Sequence, residues 1–369
     1  MRGALGGFVD RVLGRGSAAI TVPVMDGALK PNRVLDNAQV VDTLEGIDDL
    51  ATDGYRLYAT AGPVLYGLEG GSLVEMLRMD GDITAMAVHE NGAVALAVGG
   101  RRMSVMSRGR TGWGERARLE QVAGVPLRGV NALCFDEEGE NILLSDGSAE
   151  HAPADWCRDL MEKGRSGRVL RWSSGGQAEL LASGLHHAFG VLPLDGEVIF
   201  SESWRHRVMR AATDKGAKST PLLSDLPGYP SRMAHAAAGG FWLTCFVCRT
   251  QLVEFILRED AYRKRMLQEI EPSLWVAPAL RSGASFLEPL QGAGVKQMGV
   301  LKPWAPPRSY GLVLHVDAAG RTTRSLHSQV DGQHHGITAV AEYHGALYAA
   351  SKGSGRLLRV EFDAMEEGE

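Results

Sequence analysis

The chain has 369 residues, 44% of them hydrophobic and 22% charged, with a formal net charge of −5 and a sequence pI near 6.1. That balance is ordinary for a soluble globular protein and gives no electrostatic footprint for nucleic acid or an anionic membrane. No apolar run reaches the ~18 residues of a membrane-spanning helix.

The opening stretch, MRGALGGFVDRVLGRGSAAI, breaks its short apolar run with charges and has no clear cleavage site. It reads as a short amphipathic segment, not a secretory signal. Residues 1–40 are therefore taken as a segment packing on or closing the domain formed by 41–369. Four cysteines in so long a chain make no disulfide framework. Cys245 and Cys248 form a CxxC inside the strand-like run FWLTCFVCRT. Positions three apart on a strand point to opposite faces, so these are buried structural thiols and not a redox pair. A cytoplasmic location is expected.

From Ile47 onward one pattern recurs: a short apolar strand, a polar turn, and a second apolar strand. It appears as IDDLATDGYRLYAT from Ile47, ITAMAVHENGAVALAV from Ile83 and VNALCFDEEGENILLSD from Val130. It returns as AFGVLPLDGEVIFSES from Ala188, SRMAHAAAGGFWLTCF from Ser231 and ITAVAEYHGALYAAS from Ile337. Third strands follow several copies, as in GRVLRWSS, HRVMRAAT and GRLLRVEF. Six such units predict an all-β fold, a six-bladed β-propeller. The gap before the sixth copy is about twice the usual spacing, and holds a helical pattern over Arg258–Pro272 followed by a Pro/Gly-rich stretch. A second helical insertion covers His151–Gly164, with Asp155 near its N-cap and Gly164 as its stop. Insertions 151–166 and 257–308 are expected to cap one face and shape a pocket.

In a propeller the first strand of each blade lines the central channel, so the six repeat starts converge. They bring Asp48, Asn131, the twin His186-His187, Phe189, Arg232 and the twin His334-His335 towards one mouth, which suits acid–base work on a small molecule. Tyr229, just ahead of a channel strand, is expected to touch ligand, and His235 to line the pocket. Glu202 is a candidate to orient a histidine, with packing against Arg205 or Arg207 as the alternative. His206 and Asp146 read as structural. No GxSxG elbow and no phosphate-binding glycine loop is present.

The segments SDGSAEHAPADWCRDLMEKGRSGRVLRW, SESWRHRVMR and LPGYPSRMAHAAAGGFWL resemble the strictosidine synthase-like group of six-bladed propellers, relatives of gluconolactonase and paraoxonase-type lactonases. The resemblance implies the fold more securely than any reaction. Metal-dependent members hold calcium or a similar ion with a Glu, two Asn and an Asp. Those positions fall here on Asp48, Asn131, Phe189 and Ser231, the last followed by Arg232. Phenylalanine is no ligand and a guanidinium opposes a dication, so no cofactor is expected. The alternative is a divalent metal rebuilt on His187, His235 and His335. The catalytic glutamate of the metal-free plant synthases falls on His335, or one residue earlier on His334.

These readings converge on a small-molecule hydrolase of a lactone, ester or cyclic amide. His335 or His187 would activate water, Arg232 would bind the developing oxyanion, and Asp48 and Asn131 would orient these groups. Two alternatives stand: a metal-free carbon–nitrogen bond-forming enzyme or lyase, and a ligand-binding propeller without catalysis. The expected partner is a small-molecule substrate, with neither nucleic acid nor membrane.

Overall fold

The structure is a computed structural model that describes residues 22–110, 112–136, 138–173, 176–212, 218–283, 296–297, 300–301 and 308–362. The amphipathic reading of the opening stretch and most of the Pro/Gly-rich insertion lie outside these residues. Six four-stranded antiparallel sheets form the body. Their first strands are Ile47–Thr52, Ile83–Val88, Val130–Phe135, Ala188–Leu194, Gly228–His235 and Ile337–Tyr343, and we number the blades 1 to 6 in that order. Neighbouring first strands contact one another around the ring, and blade 6 meets blade 1. The fold is thus the six-bladed propeller that the repeats predict.

Blade 2 shows why the repeat folds as it does. Its strands ITAMAV and AVALAV are apolar on nearly every residue because blades stack face to face and cover both sides of each sheet. The turn between them closes with Gly92 at φ +83°, a left-handed conformation open to glycine without strain. One apolar cluster fills each gap between blades. Leu96 with Met106 belongs to the gap between blades 1 and 2, Leu144 with Trp172 to that between 2 and 3, and Phe241 with Leu312 to that between 4 and 5.

Closure is supplied by the chain's two ends. Gln39–Thr43 pairs antiparallel with Arg356–Glu361 and becomes the outer strand of blade 6. This pairing caps an edge that would otherwise present free backbone groups.

The insertions differ in detail from the sequence reading. Helix α1 spans Trp156–Glu162, and Lys163, not Gly164, is the left-handed residue that ends it. The second insertion begins earlier than residue 257, with helix α2 at Gln251–Arg258, whose N-cap Thr250 accepts a hydrogen bond from the Val253 N–H. Helix α3, Asp260–Glu269, follows after a single intervening residue and is the helical run read over Arg258–Pro272, so α2 is a further helix ahead of it that the sequence reading did not include. Val253, Ile256, Met266 and Trp275 of this insertion pack with Leu160 and Met161 of α1 on Phe189, Tyr229 and Phe246. The lid therefore lies over the starting ends of the first strands in blades 4 and 5.

Candidate active site

The axis is occupied by Arg232, which enters from blade 5 and is 5% exposed. Its Nε donates to the Asn131 carbonyl (3.0 Å), Nη1 to the carbonyls of Asp48 (3.0 Å) and Thr338 (3.4 Å), and Nη2 to that of Thr84 (2.7 Å). Two carboxylates complete the surround, Asp48 at 3.3 Å and Asp49 at 3.2 Å. Blade 4 contributes the Phe189 ring, 5.3 Å from the guanidinium carbon. Burial works against a charge in this place, yet the two aspartates hold the Arg232 pKa above its ordinary value. Burial raises Asp49 to about 6, while Lys352 and Arg232 overcome the same effect at Asp48 and hold it below the usual carboxylate range.

Above Arg232, at the lid end, lies a buried relay. His187 precedes the first strand of blade 4 at φ +60°, a left-handed conformation that turns its side chain away from that of its twin. His186 stays outside with Arg205 at 3.3 Å, whereas His187 is only 3% exposed. The Asn131 amide nitrogen donates to His187 Nε2 (3.2 Å) and to the Ala188 carbonyl (3.1 Å). Since Nε2 accepts, the proton is on Nδ1, which donates to the Asp159 carboxylate of α1 at 3.1 Å. The Trp204 indole donates to the same carboxylate oxygen (2.7 Å) and stacks on the imidazole with centroids 4.2 Å apart. Burial pushes the Asp159 pKa up, but the bonds from His187 and Trp204 prevail and hold it below its ordinary value. Gly147 makes the approach possible, because a Cβ there would lie 2.2 Å from the Asn131 amide nitrogen and 3.1 Å from His187 Cε1. Nearby, Asp48 and Lys352 pair at 3.1 Å with side chains 14% and 36% exposed, so this end keeps a polar opening.

Several expectations are corrected. His187, His235 and His335 do not converge. His235 is exposed at the far end of its strand and lines a cavity of about 460 Å³ on the other side of Arg232 from the His187 relay, lined also by Arg232, Asp49, His89 and Glu342. His335 donates from Nε2 to the Gln329 carbonyl (2.7 Å) and accepts at Nδ1 from the Ser309 hydroxyl (2.7 Å), so both ring nitrogens are engaged. Burial lowers the pKa of both His334 and His335. Glu202 orients no imidazole: it accepts the His186 backbone N–H (2.8 Å) and pairs with Arg207 (2.6 Å). Tyr229 is fully buried and donates to Glu254 of α2 at 3.3 Å, a lid anchor with no face left for ligand. Arg232 is turned to the ring of carbonyls and carboxylates around it, which engages Nε and Nη1 fully and Nη2 through the Thr84 carbonyl, so its charge is committed to these groups.

His206 is structural, 3.3 Å from Glu254, and buried Asp146 pairs with Arg168 at 2.8 Å. All four cysteines are free. Sequence reasoning missed Asp159, Lys352 and Ser309. The signal for Asp159 was its place in the helical insertion, one turn beyond Trp156.

The residues do not fit a hard metal ion. Phe189 closes one side of the axis, the Ser231 hydroxyl is taken by the Thr244 hydroxyl at 2.6 Å, and a guanidinium already holds the central oxygens. No group of three or more His, Cys, Asp or Glu side chains suited to a metal occurs among the described residues.

Fold and channel together define a six-bladed propeller of the kind shared by gluconolactonases. The likeness to strictosidine synthase-like and gluconolactonase-type propellers read from the sequence is borne out by known proteins. The chain is 23% identical to the adipocyte plasma membrane-associated protein of Salmo salar, over 92% of this chain and 81% of that one. A gluconolactonase of Xanthomonas campestris superposes with a TM-score of 0.57 at 14% identity, covering 92% of this chain and 95% of that one. A calcium-binding regucalcin of Agrobacterium tumefaciens gives 0.54 at 11% identity, covering 88% and 92%. At such identities these superpositions establish the fold. No protein-family model matches the chain. Among the described residues no helix is long and apolar enough to cross a membrane.

Proposed function

We propose that the protein is a small-molecule hydrolase acting on a lactone, ester or cyclic amide, with His187 as its general base. The observation that carries this reading is the Asp159–His187–Asn131 relay buried under the lid. Asp159 fixes the imidazole with its proton on Nδ1, which leaves the Nε2 lone pair as a base and stabilises the imidazolium formed when a proton is taken. A substrate entering between Asn131 and His187 displaces the amide from Nε2. A water then gives its proton to Nε2 and attacks the acyl carbon, and the freed Asn131 amide donates to the developing oxyanion. Protonated His187 returns the proton to the leaving oxygen or nitrogen. Arg232 takes no part as an anion binder, and His335 takes none as the base.

A structural neighbour, the Xanthomonas campestris protein, is a gluconolactonase, which makes sugar lactones the first substrates to test. Amine-condensing chemistry has less support, because Asp48 and Asp49 are already committed to Arg232 and Lys352. The test is a panel of lactones, aryl esters and cyclic amides with the wild type and His187→Ala. Turnover lost in the variant supports the reading; equal turnover removes it. Binding of a panel member without turnover in either protein favours the ligand-binding propeller. We keep the cytoplasm as the proposed location, on the four free thiols; cell fractionation tests this against the membrane association in the relatives' name.

A further inference from the structure

The donors around Arg232 form a set of their own kind. Four backbone carbonyls (Asp48, Thr84, Asn131, Thr338) and two carboxylates (Asp48, Asp49) surround the one guanidinium on the axis, spread over its three nitrogens. They come from blades 1, 2, 3 and 6, the arginine comes from blade 5, and the Phe189 ring of blade 4 packs on its face. Six oxygens of carbonyl and carboxylate type are what a hard cation such as calcium takes, at 2.3–2.6 Å in the general case. Here the distances run from 2.7 to 3.4 Å, the range of N–H···O contacts to a planar guanidinium.

We propose that this ring is a cation site filled by the chain's own Arg232, a tethered guanidinium that joins all six blades and takes the place of a divalent ion. The chemistry is self-consistent. A buried guanidinium alone carries a heavy desolvation cost, which only several well-placed acceptors offset. Conversely, carbonyls converging on an empty axis would repel one another and leave two carboxylates uncompensated. Lys352 neutralises the outer carboxylate, Asp48, and Arg232 serves both. The protein thereby keeps a rigid hub with no demand for metal. Asn131, whose carbonyl belongs to the ring, holds His187 with its side chain, so the hub also positions the relay above it. The inference stands apart from the hydrolytic reading and is tested without any substrate.

Arg232→Lys and Arg232→Met are compared with the wild type, all full-length. Elemental analysis of the purified wild type is expected to show far less than one divalent ion per chain, and EDTA to leave its melting temperature unchanged. Lys keeps a cation on a stem as long as that of Met, so Arg232→Lys is expected to melt several degrees above Arg232→Met. Arg232→Met is expected to gain a saturable stabilisation by calcium or manganese that the wild type does not show. A stoichiometric ion in the wild type, whose chelation lowers the melting temperature, overturns the proposal. So do Lys and Met variants that melt alike, or a folded Met variant with no response to cations. Should the Met variant fail to fold while the Lys variant folds, the difference itself supports the tethered cation; should both fail, the metal content and chelator response of the wild type decide.

Discussion

Glu254 is the residue through which the lid is fastened, and Glu254→Gln measures how tightly. Its Oε1 receives His206 Nε2 at 3.3 Å, Arg249 Nε at 3.2 Å and the Tyr229 hydroxyl at 3.3 Å. Burial alone would raise its pKa. His206 and Arg249 outweigh burial and bring it from 4.5 to about 2. At ~1.4 kcal/mol per pH unit, that fall corresponds to ~3 kcal/mol favouring the folded carboxylate. The folded value lies below the unfolded one, so this contribution is fully present above pH 4.5 and is lost as pH falls towards 2. Glutamine keeps the shape and one acceptor, and burial lowers the His206 pKa so that His206 brings no full charge at neutral pH; about 1–2 kcal/mol is therefore expected to disappear there. Urea unfolding followed by tryptophan fluorescence reads the loss, and limited proteolysis locates it in α2 and α3, which should be cut faster. A variant within about 0.5 kcal/mol of the wild type, or one that keeps the acid slope below pH 4.5, would refute the clamp.

Three further outcomes follow from named contacts. Gly147→Ala should reduce turnover sharply and lower the melting temperature, because its Cβ would lie 2.2 Å from the Asn131 amide nitrogen and 2.8 Å from the Ala188 carbonyl; the panel assay and thermal melts followed by circular dichroism check this. Burial lowers His327 from 6.5 to about 4, so the unfolded chain takes a proton that the folded chain refuses. Stability should therefore fall as pH drops through that interval, by up to ~3 kcal/mol, and His327→Gln should flatten the slope in urea titrations. Deleting residues 1–43 removes the strand that closes blade 6 and bares Arg356–Glu361; light scattering should show association or aggregation at concentrations where the full chain stays dispersed.

The blades were legible because each repeat carries its own strand–turn–strand pattern, and blade stacking requires apolar residues on both faces of each sheet. The lid was legible only as helical insertions. The pattern over Arg258–Pro272 marks α3, but α2 follows the apolar strand Phe241–Cys248 after two residues, and its own apolar residues do not set it apart from that strand. His187 and Asn131 were found because the repeat starts converge. Asp159 was not, since its meeting with His187 depends on how α1 docks, which no local pattern encodes. Arg232 was seen as an obstacle to metal, but its true partners are mainly backbone carbonyls, and these have no sequence signature. The histidine twins were read as pairs. The left-handed backbone at His187 separates the first pair, and Ser309 with the Gln329 carbonyl engages His335 of the second.

The central claim is that His187, oriented by Asp159, is the base. The most direct measurement is kcat/KM against pH for the best substrate of the panel, in wild type, His187→Ala, Asp159→Asn and His335→Gln. We expect a loss of about a hundredfold or more in His187→Ala and a substantial loss in Asp159→Asn, whose amide no longer enforces the Nδ1–H tautomer. His335→Gln should stay close to wild type. Undiminished turnover in His187→Ala, or a loss confined to His335→Gln, would contradict the account.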